Sequence, residues 1–408
     1  MNLAVPSTFV ILRPPDLLRP PDEALSAARV LPMKLFTCQH CRQALFFENA
    51  RCESCGRELG FLAARETMTA LESLDGALRA LAEPRGRYRY CDNARHGVCN
   101  WLVADGGEPF CAACRHNRTI PDLARPGNLA RWRRIEIAKH RLFYSLLRLS
   151  LPLASRSEDA KGLGFDFLSD DASAAPVMTG HASGLITINL AEADDAERER
   201  RRSQMGEPYR TLLGHFRHEI AHFYWDRLVA STDSLALFRS IFGDERTDYP
   251  EALKRHYADG PPANWADHFI TAYASAHPWE DFAETWAHYF HMVDTLETAA
   301  AFGLRARPDV PKGPDLSIRI DFDAYRAPLN RLVDAWLPLT FAINSINRSM
   351  GLQDLYPFAL APGVIVKLGF VHERIHAHDG HDARNASPTV LRAMVAALRR
   401  KVGSPEPT

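Results

Sequence analysis

Residues 218–222 read His218-Glu219-Ile220-Ala221-His222, a spacing that can hold a metal ion and set a carboxylate beside it. Leu213, Phe216, Ile220 and Phe223 recur around it at intervals of three and four, predicting an amphipathic helix across Tyr209 to Trp225. Four residues along a helix advance about 6 Å and roughly 40° around its axis, so both imidazoles point the same way and can share one ion. Glu219 follows the first histidine directly. Its side chain can reach a zinc-activated water without taking a coordination position, as a general base must. The plainer reading is a pair of surface or capped histidines, and a third ligand at a suitable place argues against it.

That ligand is expected on a second helix. In the run His277-Pro278-Trp279-Glu280-Asp281-Phe282-Ala283-Glu284-Thr285-Trp286-Ala287-His288, a proline in the first turn and the spacing of Phe282 and Trp286 predict a helix. Glu280, Glu284 and His288 then share one face. One acid can bind zinc while the next orients a histidine, and spacing alone does not order the two. The alternative is a solvated acidic face, which the aromatic content disfavours.

A second metal chemistry lies upstream. All eight cysteines fall between positions 38 and 114. Cys38-x-x-Cys41 and Cys52-x-x-Cys55 are two knuckles able to present four thiolates to one Zn²⁺. Cys91, Cys99, Cys111 and Cys114 form a second, more open set, also read as a zinc site. Disulfides are the competing reading, disfavoured in a chain without an export pattern. Neither cluster shows an open coordination position, so both are expected to fold a module too small to build its own core. Leu71, Leu74, Leu78 and Leu81 recur at helical spacing and predict a helix packing the two metal modules together.

Other elements must position these groups. The basic stretch Arg125 to Arg148 interleaves Trp132, Ile135, Leu142, Phe143 and Leu146, as an amphipathic helix with a solvated charged face would. Gly184-Leu185-Ile186-Thr187-Ile188-Asn189-Leu190 alternates as a strand and is the candidate edge to which an extended peptide could add, an interior strand of the same sheet being the alternative that sequence does not separate. A rival motif, His372-Glu373-Arg374-Ile375-His376, is followed by His378, Gly380 and His381. Its glycine and histidine miss the positions of the longer zinc motif by one residue, and only Glu406 lies downstream as an acid of the right type. Val364 to Val371 reads as a strand, and the segment is expected to be a solvated His-rich tail with adventitious metal binding.

A net charge of -1 offers no electrostatic footprint for nucleic acid, and no run approaches the roughly 18 apolar residues of a membrane span. The Pro-Pro pairs of residues 1–32 read as a disordered leader, with Met33 an alternative start, and the chain is expected in the cytoplasm.

These motifs resemble the gluzincin metallopeptidases and, more narrowly, a bacterial zinc-binding metallopeptidase family with an N-terminal zinc ribbon. The resemblance runs from about Met33 to His372. It implies Glu280 as third ligand and Glu284 as support for a ligand histidine. In members resembling the lethal-factor branch, a tyrosine seven residues before the ligand helps stabilise the oxyanion, which implies Tyr273. The expected architecture is α+β: a leader over 1–32, a zinc-ribbon domain over 33–120 and a mainly helical, zincin-like domain over 121–385. Residues 386–408 would be a C-terminal tail. The expected activity is peptide-bond hydrolysis with one catalytic and two structural zinc ions, a peptide or protein substrate, and a protein partner for the ribbon. An inactive zinc-stabilised scaffold binding protein or nucleic acid is the alternative.

Overall fold

The computed structural model describes residues 35–170, 177–205, 210–308 and 316–377. The expected leader and Met33, Tyr209, His378, Gly380, His381, Glu406 and the tail over 386–408 lie outside the described residues.

The cysteine-rich part is built from short antiparallel pairs. β1 (Phe36–Thr37) and β2 (Ala44–Leu45) flank the first Cys-x-x-Cys turn. β3 (Leu59–Leu62), β4 (Thr67–Leu74), β5 (Ala77–Ala80), β6 (Glu83–Tyr90) and β7 (Leu102–Ala104) follow as an antiparallel sheet in sequential order. The helix expected over Leu71 to Leu81 is therefore corrected to a hairpin. Asp75 and Gly76 both take positive φ, 45° and 80°, and Leu74 pairs with Ala77. An Asp-Gly pair of this kind is the favoured two-residue hairpin turn, and it outweighs leucine spacing that also fits a helix. Leu71 packs with Leu62, Ala80 and Leu102 in a small satellite core.

β8 (Asn117–Thr119) leads into α1 (Asn128–Arg148). The apolar stripe of α1 is buried as its spacing predicts, but Glu136, Lys139 and His140 are buried with it, so the charged positions are not all solvated. Next come β9 (Gly164–Leu168), β10 (Gly180–Ala182) and β11 (Leu185–Asn189), which assemble with β8 into a sheet of order β10-β11-β9-β8. β11 runs parallel to β9 on one side and antiparallel to β10 on the other. The strand expected at the edge is thus interior, and among the described residues β10 takes the edge. The tight β10–β11 turn depends on Gly184, whose φ is +84° and whose absent Cβ would lie 2.4 Å from the Lys161 carbonyl oxygen. Gly184→Ala is expected to cost about 1–3 kcal/mol through strain and overlap, read as a lower Tm. An unchanged Tm would show that the turn relaxes freely.

α2 (Asp195–Met205), α3 (Leu212–Trp225), α4 (Leu235–Phe242), α5 (Tyr249–Asp259) and α6 (Pro278–Ala301) follow. The short pair β12 (Arg305–Ala306) and β13 (Ile318–Arg319) precedes α7 (Leu329–Ser349) and α8 (Pro362–Ala377). The central packing joins α3 to α6 through a ladder of rings. Tyr224 stacks on Trp286 at 5.2 Å between centroids, and Trp286 on Phe290 at 5.3 Å. All three are fully buried, which makes this ladder a large apolar contribution to holding the two helices together. Among the described residues no helix is long and apolar enough to cross a membrane.

Candidate metal centre and cleft

Local capping fixes the start of each helix that carries the site. The Thr211 hydroxyl accepts from the Gly214 N–H at 3.0 Å and opens α3, which turns Phe216, Ile220 and Phe223 inward. At α6, Pro278 occupies the first turn and His277 Nδ1 accepts from the Trp279 N–H at 3.1 Å. His277 Nε2 donates to the Thr247 carbonyl at 3.1 Å, anchoring this cap to the segment before α5.

Packing of α3 on α6 brings two acids to opposite edges of one imidazole. Glu280 Oε2 lies 2.9 Å from His218 Nε2, and Glu280 Oε1 lies 3.7 Å from His222 Nε2. Glu284 Oε1 lies 2.6 Å from His218 Nδ1, while Glu284 Oε2 accepts from the Thr271 hydroxyl at 2.8 Å. His288 shares their helix but turns elsewhere, its Nδ1 lying 2.7 Å from the Tyr356 hydroxyl. Donor atoms of His218, His222 and Glu280 lie within 4.8 Å of one another. Glu280 Oε2 is buried with no well-aligned hydrogen bond although His218 Nε2 stands 2.9 Å away, an expensive state that a cation shared by the two would relieve. Two imidazole nitrogens and one carboxylate oxygen are a donor set that suits Zn²⁺ with a position left open.

The charges respond to this crowding. Burial would raise Glu280, but His218, His222 and the Tyr249 hydroxyl hold it down at about 2. Burial would lower His218, and the two carboxylates raise it well above its ordinary value instead. Burial pushes Glu219 up to about 7 and His222 down to about 4.

His218, Glu219, His222 and Glu280 line a cleft of about 450 Å³. Its walls include Gly180 and His181 of the edge strand, Trp225 and Asp226 at the end of α3, and Tyr249, Tyr273 and Trp279. The Tyr273 ring centroid is 6.0 Å from that of His218. Tyr249 donates its hydroxyl to Glu280 Oε1 at 2.8 Å, and the His181 ring stacks on His222 at 6.0 Å. Neither Tyr249 nor His181 stands out in the sequence. Each reaches the cleft by a connection with no fixed spacing to the metal helix, although a histidine beside the candidate strand was a usable hint.

The rival motif has a different fate. Residues 364–371 are helical rather than extended, because Val364, Leu368, Val371 and Ile375 bury one face of α8. Tyr289 Oη on α6 lies 2.9 Å from His372 Nδ1 and 3.2 Å from His376 Nε2. One hydroxyl can donate to one ring and accept from the other. Burial drives His372 down to about 3. Where described, this segment is the half-buried end of α8, braced against α6, and not a solvated tail.

The cysteines gather as two quartets, Cys38, Cys41, Cys52 and Cys55, and Cys91, Cys99, Cys111 and Cys114. Sγ separations of 3.8 Å for Cys38–Cys55, 3.5 Å for Cys41–Cys52 and 3.8 Å for Cys99–Cys111 far exceed the roughly 2.05 Å of a disulfide. They match the roughly 3.8 Å edge of a tetrahedron with zinc–sulfur bonds of about 2.3 Å.

Comparison with known proteins agrees with this chemistry. Residues 128–374 match the family described as "Putative zinc-binding metallo-peptidase", and residues 35–125 match a zinc-ribbon domain. Proteins of Mycobacterium bovis and of two strains of Mycobacterium tuberculosis, each named only as an uncharacterized protein, are 43% identical over 343 residues. The match covers 83% of this chain and 94% of each of theirs. No solved structure matches.

Proposed function

Because the chain belongs to this zinc-binding metallopeptidase family, we propose that it hydrolyses peptide bonds in the cleft between α3, α6 and β10. The observation that carries the reading is the convergence of His218 Nε2, His222 Nε2 and the buried Glu280 carboxylate beside Glu219, on the wall of an open cleft. His218, His222 and Glu280 would hold zinc, as in a gluzincin-like zincin. Bound zinc supplies Lewis acidity, polarising the scissile carbonyl and acidifying water.

The chain's own groups do the rest. Glu219 takes the proton of the attacking water and returns it to the leaving amine, a task suited to a carboxylate whose burial brings it near neutrality. Glu284 accepts from His218 Nδ1–H and fixes the tautomer that presents Nε2 to the ion. Tyr273, on the cleft wall with its ring 6.0 Å from that of His218, would donate its phenol to the oxygen where negative charge builds. An extended substrate pairs with the open edge of β10, where His181 is locked in place by a bond from the Gly184 N–H to its Nε2 at 3.0 Å.

Digestion of a peptide library by the zinc-replete chain tests the reading. Cleavage is expected, to stop on chelation and to return with added zinc. A zinc-replete chain that retains a protein or nucleic acid without cutting any peptide would replace this reading with that of an inactive scaffold. Elemental analysis is expected to find about three zinc ions per chain, one in the cleft and two on thiolates. A value near two that is unchanged by Glu280→Ala would remove the cleft ion from the account.

A further inference from the structure

We propose that His140 of α1 is a ligand of the ion held by the second cysteine cluster. Its Nε2 would bond the ion alongside Cys99, Cys111 and Cys114 in a four-coordinate site, in the place that Cys91 would otherwise take. The two cysteine clusters differ in their surroundings. Around the first, the converging donors are four cysteines. At the second, Cys114 also converges with Glu136 and His140 from α1, and all three are buried.

The geometry separates these two extra donors. Glu136 is fully engaged: its Oε1 accepts from Trp132 Nε1 at 3.0 Å and from Asn117 Nδ2 at 2.7 Å, and its Oε2 lies 2.9 Å from Lys139 Nζ. His140 meets backbone on one side of its ring and only sulfur on the other. Its Nδ1 donates to the Glu136 carbonyl at 2.6 Å, so in the neutral ring the lone pair sits on Nε2. That nitrogen faces three sulfurs, at 3.3 Å from Cys99, 3.7 Å from Cys114 and 4.0 Å from Cys111. A tetrahedral zinc bonded to sulfur at about 2.3 Å and to imidazole nitrogen at about 2.05 Å sets nitrogen and sulfur roughly 3.6 Å apart. The three observed distances bracket that edge, and Cys99–Cys111 at 3.8 Å matches the sulfur–sulfur edge.

Chemistry makes the contact consequential. Zinc binding strips the protons from the thiols, and Nε2 of His140, which exposes only 4% of its surface, stands where it can bond the ion that they hold. That bond changes what the cluster does. The ribbon match ends at residue 125, whereas His140 lies in the region matched from 128 onward, so one ion would be shared between the two modules. α1 packs on α3, and the shared ion would clamp the helix that backs His218 and His222.

Cadmium-113 NMR of the full chain, with cadmium replacing zinc and histidine labelled with nitrogen-15, reads this directly. In the wild type, one thiolate-bound cadmium is expected at the position of a three-sulfur, one-nitrogen site and coupled to Nε2 of one histidine. In His140→Ala that resonance is expected to move to the four-sulfur range and lose its coupling. His116→Ala, which removes a buried histidine bonded instead to the Leu163 carbonyl, is expected to leave it unmoved. Two four-sulfur resonances without nitrogen coupling in the wild type would overturn the proposal. That wild-type measurement decides the matter even if His140→Ala fails to fold.

Discussion

Glu219→Gln is expected to retain its full complement of zinc and to lose peptide hydrolysis by about 10²- to 10⁴-fold in kcat. The two halves of this outcome follow from one placement. Glu219 sits between the two histidines on α3, but the donor atoms that converge there belong to His218, His222 and Glu280. Glutamine has the same length and keeps the helix, the aromatic ladder and all three donors. What it cannot do is accept a proton. The neutral amide also removes one negative charge from a crowded acidic cleft, so zinc affinity changes only in second order. Elemental analysis beside a peptide-digestion rate measures both quantities on one preparation, and circular dichroism checks the fold. Full activity in this variant would refute the general-base assignment. Loss of zinc together with activity would make Glu219 a ligand.

The second large effect separates Glu280 from Glu284. Glu280→Ala is expected to release the cleft zinc under mild chelation, because only two histidines would remain to hold it. Glu284→Ala is expected to keep that ion with affinity weakened about 10- to 100-fold, the usual consequence of losing a partner behind a ligand histidine. The two acids stand one helical turn apart, and their roles rest on which imidazole nitrogen each meets: Nε2 at 2.9 Å for Glu280, Nδ1 at 2.6 Å for Glu284. Titration of zinc into each apo variant measures the difference. A Glu284→Ala chain that cannot hold the ion while Glu280→Ala can would exchange the two assignments.

The His218–His222 pair and the three Cys-x-x-Cys knuckles were legible in the sequence for a local reason. A helix fixes the relation of residues four apart by its own period, and a knuckle fixes that of residues three apart, whatever the rest of the chain does. The shared face of Glu280 and Glu284 was legible on the same ground. Their order was not, because it depends on how α3 rotates against α6, a relation fixed by packing such as Tyr224 on Trp286 across more than sixty residues of chain.

Where local signals competed, spacing alone misread one element and left another undecided. Leu71 to Leu81 fits a helical period, yet Asp75-Gly76 closes a hairpin whose leucines find burial against Leu62 and Leu102. The run Leu185–Asn189 alternates as any half-buried strand does. Only β9 arriving in parallel on its far side makes it interior and gives the cleft edge to β10. The same holds for His140, which local pattern counts as one more polar residue on an amphipathic helix. Its approach to three cysteines 26 to 41 positions away is a property of tertiary packing, since no backbone period links a helix to a turn so distant in the chain.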